Sequence, residues 1–168
     1  MDRLIDFLVQ LLRFLPRFKA VPPDEGGVVL RFGRYKKTLT GGNYRFYWPL
    51  ITEIQTLPTS KQIVDIRSQA VMTKDGQCLS INGSVEYVVT DPEIAILHVH
   101  DHDKTLQQLS ADMIRDAVAG MDYRYCNCDE ISEEVHDLLD VEGGVYGVKI
   151  RRVFICDYTK ARVIRLIR

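Results

Sequence analysis

The order of the hydrophobic patterns predicts an α+β domain, with a mixed or antiparallel sheet and packed helices, preceded by an N-terminal amphipathic helix. Three observations carry that class. Short strand-like runs bounded by Gly and Pro come first, between residues 26 and 90. Helical periodicities follow between 92 and 141, and one strand pattern returns at 148–158. Strands grouped before helices, with a late returning strand, do not fit the βαβα alternation of a parallel sheet.

The first element is the opening segment, DRLIDFLVQLLRFLPRF. At 100° per residue, Asp2, Arg3, Asp6, Gln10, Arg13 and Arg17 gather in one polar sector. Leu4, Ile5, Phe7, Leu8, Val9, Leu11, Leu12, Phe14, Leu15 and Phe18 fill the rest. A spanning helix needs about 20 apolar residues to cover about 30 Å of hydrocarbon, whereas Leu4 to Phe18 reaches about 22 Å with Arg13 inside it. An export signal places its basic charges before the apolar run, but Arg13, Arg17 and Lys19 follow it and no small-residue cleavage site appears. An in-plane interfacial helix fits better. Half-burying ten large apolar side chains supplies on the order of 10 kcal/mol of gross driving force. The expected lipid-facing set is Leu4, Ile5, Phe7, Leu8, Leu11, Leu12, Phe14, Leu15 and Phe18, with Arg13, Arg17 and Lys19 meeting anionic headgroups. The plainer alternative is a helix docked on protein, either this domain or a neighbouring subunit.

Pro22 and Pro23 end that pattern, giving expected boundaries of 1–20 for the helix, 21–158 for the domain and 159–168 for a short basic tail. GGVVLRFGRYKKTL reads as two strands about a turn at Gly33-Arg34, and Gly41-Gly42-Asn43 as another turn. YRFYWPLITEIQTLP is an aromatic-rich strand interrupted by Pro49. Strands follow over 62–66 and 77–90. In the second, Leu79, Ile81, Val85 and Tyr87 alternate with Ser80, Asn82, Ser84 and Glu86. Asp91-Pro92 starts a helix over 92–98 by capping and fixed φ. A longer helix over 104–119 carries Leu106, Leu109, Met113 and Ala117 on one face, and Gly120 closes it. A third over 129–141 buries Ile131, Val135, Leu138 and Leu139. In VKIRRVFICDY, Lys149, Arg151 and Val153 alternate with Val148, Ile150 and Phe154.

A net charge of −1 over 168 residues gives no overall electrostatic footprint for nucleic acid, which would need a basic face, so no nucleic-acid partner is expected. Cys78, Cys126, Cys128 and Cys156 are scattered, which suits a reducing compartment, and Cys126/Cys128 form only a C-x-C pair. No phosphate-binding glycine loop, nucleophile elbow or H-E-x-x-H is present. HVHDHD could ligate a metal through His98, His100 and His102 if extended, because alternate residues of a strand share a face. A polar connector between two helices, with Asp101 or Asp103 capping the second, is the simpler reading. Leu30, Tyr35 and Lys37 satisfy a loose cholesterol-contact pattern, and Lys36 and Lys37 could touch anionic lipid or merely a solvated turn.

GGVVLRFGRY, GGNYRFYWPLI, MTKDGQCLSINGSVEYVVTDPEIA, LSADMIRDAVAGMD and GVKIRRVFICDY together resemble the stomatin, prohibitin and flotillin (SPFH, band 7) superfamily, nearest its stomatin-like branch. The T-x-D-G block at Thr73, Asp75 and Gly76, before an alternating strand and the Asp91-Pro92 stop, is the most specific piece. The resemblance implies an SPFH domain held to a membrane by its N-terminal segment, self-associating into homo-oligomers, with neither catalytic site nor cofactor. It implies a scaffold organising membrane proteins such as channels or proteases, on the cytoplasmic face. The superfamily continues into a long coiled coil, whereas this sequence stops at Arg168, so a short form assembling as a dimer or small oligomer is expected. Alternatives are a soluble structural subunit using the first helix for assembly, and a metal-binding protein using the three histidines.

Overall fold

The computed structural model describes residues 15–160, which form two compact units. Leu4, Ile5, Phe7, Leu8, Leu11, Leu12, Arg13 and Phe14 of the expected membrane helix lie outside the described residues, as does 161–168 of the expected tail.

The first unit contains β1 (Arg17–Ala20), β2 (Glu25–Arg31), β3 (Arg34–Leu39), β4 (Tyr44–Tyr47), β5 (Thr52–Pro58) and α1 (Pro92–His98). Strands β3-β2-β5 make an antiparallel sheet, and β1 pairs antiparallel with β4 as a separate two-stranded ribbon. Here the expectation of a helix through Phe18 is corrected: Arg17, Phe18 and Lys19 lie in strand β1. Pro16 supplies the physical reason. It lacks the N–H an internal helical residue donates, and it drives Leu15 toward extended backbone. The ladder with Tyr44–Tyr47 then satisfies the freed peptide groups. Val21, Val29, Leu39 and Ile54 form the small core, with Tyr47 packed against it. On α1, Asp91 Oδ1 accepts from the N–H of Glu93 at 2.9 Å, the cap expected from Asp91-Pro92.

The second unit contains β6 (Gln62–Met72), β7 (Cys78–Val89), α2 (His102–Gly120), α3 (Cys128–Gly143), a 3₁₀ turn at Gly144–Tyr146 and β8 (Val148–Lys160). The antiparallel order is β6-β7-β8. Along β7 the predicted alternation holds: Leu79, Ile81, Val85, Tyr87 and Val89 are buried. Three apolar assignments shift. On α3 Ile131, Val135 and Leu139 are buried as expected, but Leu138 is only half-buried. On α2 the buried line is Leu106, Ser110, Ile114, Ala117 and Val118, with Leu109 and Met113 only half-buried beside it. On β8 the pairing jumps from Tyr87↔Ile150 to Glu86↔Arg152, so Arg151 is the extra residue of a bulge. Past the bulge the faces exchange. Val153 joins Val148 and Ile150 inside, and Phe154 faces out. The strand continues to Lys160, into the segment expected to be tail.

The T-x-D-G block is the hairpin turn between β6 and β7. The N–H of Thr73 donates to Gln77 O at 2.9 Å, and the N–H of Gln77 donates to Thr73 Oγ1 at 3.0 Å. Gly76 supplies φ of +78°, which a residue with Cβ adopts only at a cost. Thr73 Oγ1 donates to Asp75, whose carboxylate also accepts from the N–H of Tyr123 at 3.2 Å. The N–H of Lys74 donates to Met121 O at 2.9 Å, so the turn fastens the hairpin to the loop after α2. The Thr73 hydroxyl chiefly, with the Tyr123 amide, holds the Asp75 carboxyl below the usual carboxylate range against a smaller desolvation effect. A carboxyl whose folded pKa is depressed stabilises above its unfolded value, about 3.9, and loses that contribution as pH falls through the folded value. The urea midpoint of Asp75→Asn should therefore lie below wild type at pH 6, with the gap narrowing below about pH 4. A gap independent of pH would mean that the carboxylate's charge contributes nothing to the latch.

Candidate functional site

The β1–β4 ribbon is inverted relative to an ordinary surface ribbon. In register, Phe18 opposes Phe46, Lys19 opposes Arg45, and Ala20 opposes Tyr44. Side chains alternate across a strand, so Phe46 takes the face opposite to Arg45 and Tyr47. Tyr47 goes inward onto the core, and Lys19 Nζ donates to Ile54 O at 2.9 Å. The outward face carries the apolar groups: Phe18, Tyr44, Phe46 and Trp48, with Leu50 in the following turn, are between 51% and 82% exposed. The rings of Phe18 and Phe46 meet with centroids 4.9 Å apart, tilted by 55°. Single exposed apolar residues need no explanation, but a contiguous aromatic row on one ribbon does.

The neighbouring hairpin adds a second exposed aromatic at a strained position. Between β2 and β3, Phe32 has φ +51° and Gly33 has φ +71°, the paired positive values of a tight hairpin turn. Gly33 accepts this freely; a phenylalanine in the left-handed region costs about 1–2 kcal/mol. The N–H of Phe32 donates to Ile51 O at 2.8 Å, tying this tip to the turn that carries Trp48 and Leu50. Its side chain gains little burial for that strain, being 73% exposed.

Behind the ribbon lies a groove of about 340 Å³. Val29, Phe46, Tyr47, Trp48, Ile51, Thr52 and Ile54 line it, together with four cations, Arg31, Lys36, Lys37 and Arg45. No Asp or Glu is among its lining residues. Among the described residues none of the four cations forms an ion pair. Glu53, the one acid of β5, is held instead by Gln55 Nε2 at 2.6 Å. Residues 15–60 carry seven Lys and Arg against three Asp and Glu, a local net charge of +4. A second cleft, of about 390 Å³ along α3 and β8, mixes Asp129 and Glu133 with Arg151 and Arg152 and lacks that single sign.

The sequence-predicted residues separate accordingly. Leu15, Arg17 and Phe18 are exposed beside or within the ribbon, and Lys19 turns toward the sheet rather than outward to headgroups. His98 ends α1, His100 lies in the connection and His102 opens α2, so the common strand face that ligation required is not formed. Among the described residues no three His, Cys, Asp or Glu side chains gather to hold a metal. Asp101 caps α2, its Oδ1 accepting from the N–H of Lys104 at 3.2 Å. The four cysteines are free thiols. Among the described residues, no helix is long and apolar enough to cross a membrane. The aromatic row of β4 and the strained Phe32 were missed as site residues. Their signal was YRFYW beside FG in a sequence stretch of one charge sign.

Antiparallel sheets, a late helical pair and a returning long strand define an α+β domain, here with one aromatic and basic surface. The sequence profile of the SPFH domain / Band 7 family matches residues 19–165, and the chain belongs to that family. An uncharacterised protein of Methanothermobacter thermautotrophicus is 29% identical over 154 residues, covering 90% of this chain and 48% of that protein. A stomatin homolog of Pyrococcus horikoshii is 26% identical over 153 residues, covering 89% and 57%. A putative band 7 family protein of Acanthamoeba polyphaga mimivirus is 24% identical over 147 residues, covering 86% and 48%. The chain thus spans about half the length of these curated relatives.

Replacing Phe32 should separate stability from surface chemistry. Asn tolerates the left-handed conformation, so Phe32→Asn should raise unfolding free energy by about 1 kcal/mol, measured by urea denaturation. A loss of stability would mean that the Phe32 ring makes contacts outweighing its backbone strain.

Proposed function

We propose that the chain is a non-enzymatic, membrane-associated scaffold that self-associates at the membrane surface and organises or regulates membrane proteins such as a channel or a protease. The outward aromatic row of β1 and β4 is the observation that carries this reading. Trp and Tyr favour the water–lipid boundary, where an apolar ring and a polar edge are both satisfied. Leu15 and Phe18 connect that row in sequence to the apolar segment over 4–14, so two apolar surfaces adjoin along the chain. Membership of the SPFH domain / Band 7 family supports a stomatin-like membrane scaffold in general terms. In this reading the association is monotopic, and free thiols suit the cytoplasmic face. The domain boundaries follow the same logic, with an apolar anchoring segment before β1 and the folded domain after it.

Flotation of the full-length protein with phospholipid vesicles tests the proposal. Wild type should float. Phe46→Ser/Trp48→Ser and, separately, Leu8→Asp/Leu12→Asp should each weaken binding at least tenfold, since burying one such side chain supplies about 1.5–3 kcal/mol. Wild-type failure to float would overturn the membrane reading. A native mass equal to one chain at all concentrations would remove the self-association.

A further inference from the structure

Four cations border a groove whose floor is apolar, and no carboxylate lies among them. Each of Arg31, Lys36, Lys37 and Arg45 is without an ion-pair partner among the described residues. Gathering like charges costs repulsion, and a protein relieves it with an acid or leaves it for a ligand. We propose that this groove seats the phosphate-bearing headgroup of an anionic phospholipid, with the guanidinium and ammonium groups on the phosphate and the apolar floor against the first carbons of the lipid. This rests on the membrane-surface reading above and gives it a lipid class.

Charge complementarity selects an anion. The rest of the lining selects an amphiphile over a free ion: Val29, Tyr47, Trp48, Ile51 and Ile54 would leave a small soluble phosphate facing carbon. Two features of the surroundings favour lipid over an acidic peptide. Phe46 and Trp48 belong both to the groove wall and to the exposed aromatic row, so a bilayer receiving the row brings its headgroups to the groove. The net +4 of residues 15–60 sits in a chain whose total is −1, the kind of local asymmetry that marks an anionic-surface contact within a near-neutral protein. Arg is suited to fork onto phosphate oxygens, and the long Lys stems can lie along the apolar wall while their ends reach the charge.

Trp48 is the single tryptophan of the chain, and it lines the groove, so its emission reports occupancy directly. The full-length protein would be titrated with vesicles of phosphatidylcholine alone and with vesicles containing about one-fifth phosphatidylglycerol. It would be titrated separately with inorganic phosphate, sn-glycerol 3-phosphate and poly-glutamate. The expected result is a blue shift of Trp48 emission and binding at least tenfold tighter to the anionic vesicles, weakening as salt rises. Lys36→Gln/Lys37→Gln/Arg45→Gln should abolish most of that preference, on the order of a hundredfold at about 1 kcal/mol per basic residue. The exposed pair Lys36→Gln/Lys37→Gln should remove a large part of it even if the triple variant does not fold. Lys149→Gln/Arg151→Gln, on β8, should leave it unchanged. Equal binding to neutral and anionic vesicles would overturn the headgroup site while leaving the membrane reading standing; binding to neither would overturn both. Phosphate or poly-glutamate shifting Trp48 more strongly than vesicles would replace lipid with a soluble ligand or an acidic chain. Equal loss in the β8 variant would reduce the effect to unspecific charge.

Discussion

Tyr47 rests against Val21, Val29, Leu39 and Ile54, and the surface of the first unit depends on that contact. A strand repeats every two residues, so one aromatic committed to the core commits its neighbours to the opposite face. Phe46 and Trp48 are therefore outward because Tyr47 is inward. Pairing with β1 completes the arrangement by placing Phe18 over Phe46 and turning Lys19 onto the carbonyl of Ile54. The burial that forms the small core and the exposure that makes the surface unusual are two aspects of one register. A one-residue slip would bring Phe46 inward and expose Tyr47, exchanging every side chain of the ribbon.

The electrostatics follow the same division. Averaged over the chain, charge nearly cancels, and that average hides a basic stretch of 46 residues. Within it, acids are few and one of them, Glu53, is occupied by Gln55. A surface combining exposed rings with unpaired cations is matched fully neither by water, which leaves the rings hydrated, nor by hydrocarbon, which leaves the cations unsolvated. The headgroup layer of a membrane offers both environments within a few ångströms. The compensating acids lie partly at α1, with Asp91 and Glu93, and mostly in the second unit, which is organised differently, about a long hairpin whose turn is held by Thr73 and Asp75.

Elements with one fully buried face were readable from sequence, because burial there imposes a clean period. Leu79 through Val89 is the plainest case: every second residue is inside. Where a polar residue is buried, the period misleads. Ser110 occupies the inner line of α2, so Leu109 and Met113 drew the predicted face one residue aside. Strand β1 was hidden by its apolar neighbours, since Arg17 and Phe18 continue a helical wheel that ignores the missing amide of Pro16. The outward row of β4 was beyond pattern reading for a simpler reason. In YRFYW aromatics occupy both faces, and only the position of Tyr47 against Val29 and Ile54 decides which set is buried.

The bulge at Arg151 bears on a different matter, the fate of an open sheet edge. Among the described residues strand β8 pairs only with β7, which leaves its other side, thirteen residues long, without a strand partner. Such a long edge invites a second chain to add on as a further strand. The extra residue disrupts the regular spacing of those groups and sets Arg151 and Arg152 side by side, both exposed. An incoming strand would meet a kink and two adjacent positive charges in the first half of the edge. Bulges and exposed charges of this kind guard a sheet against indiscriminate lengthening.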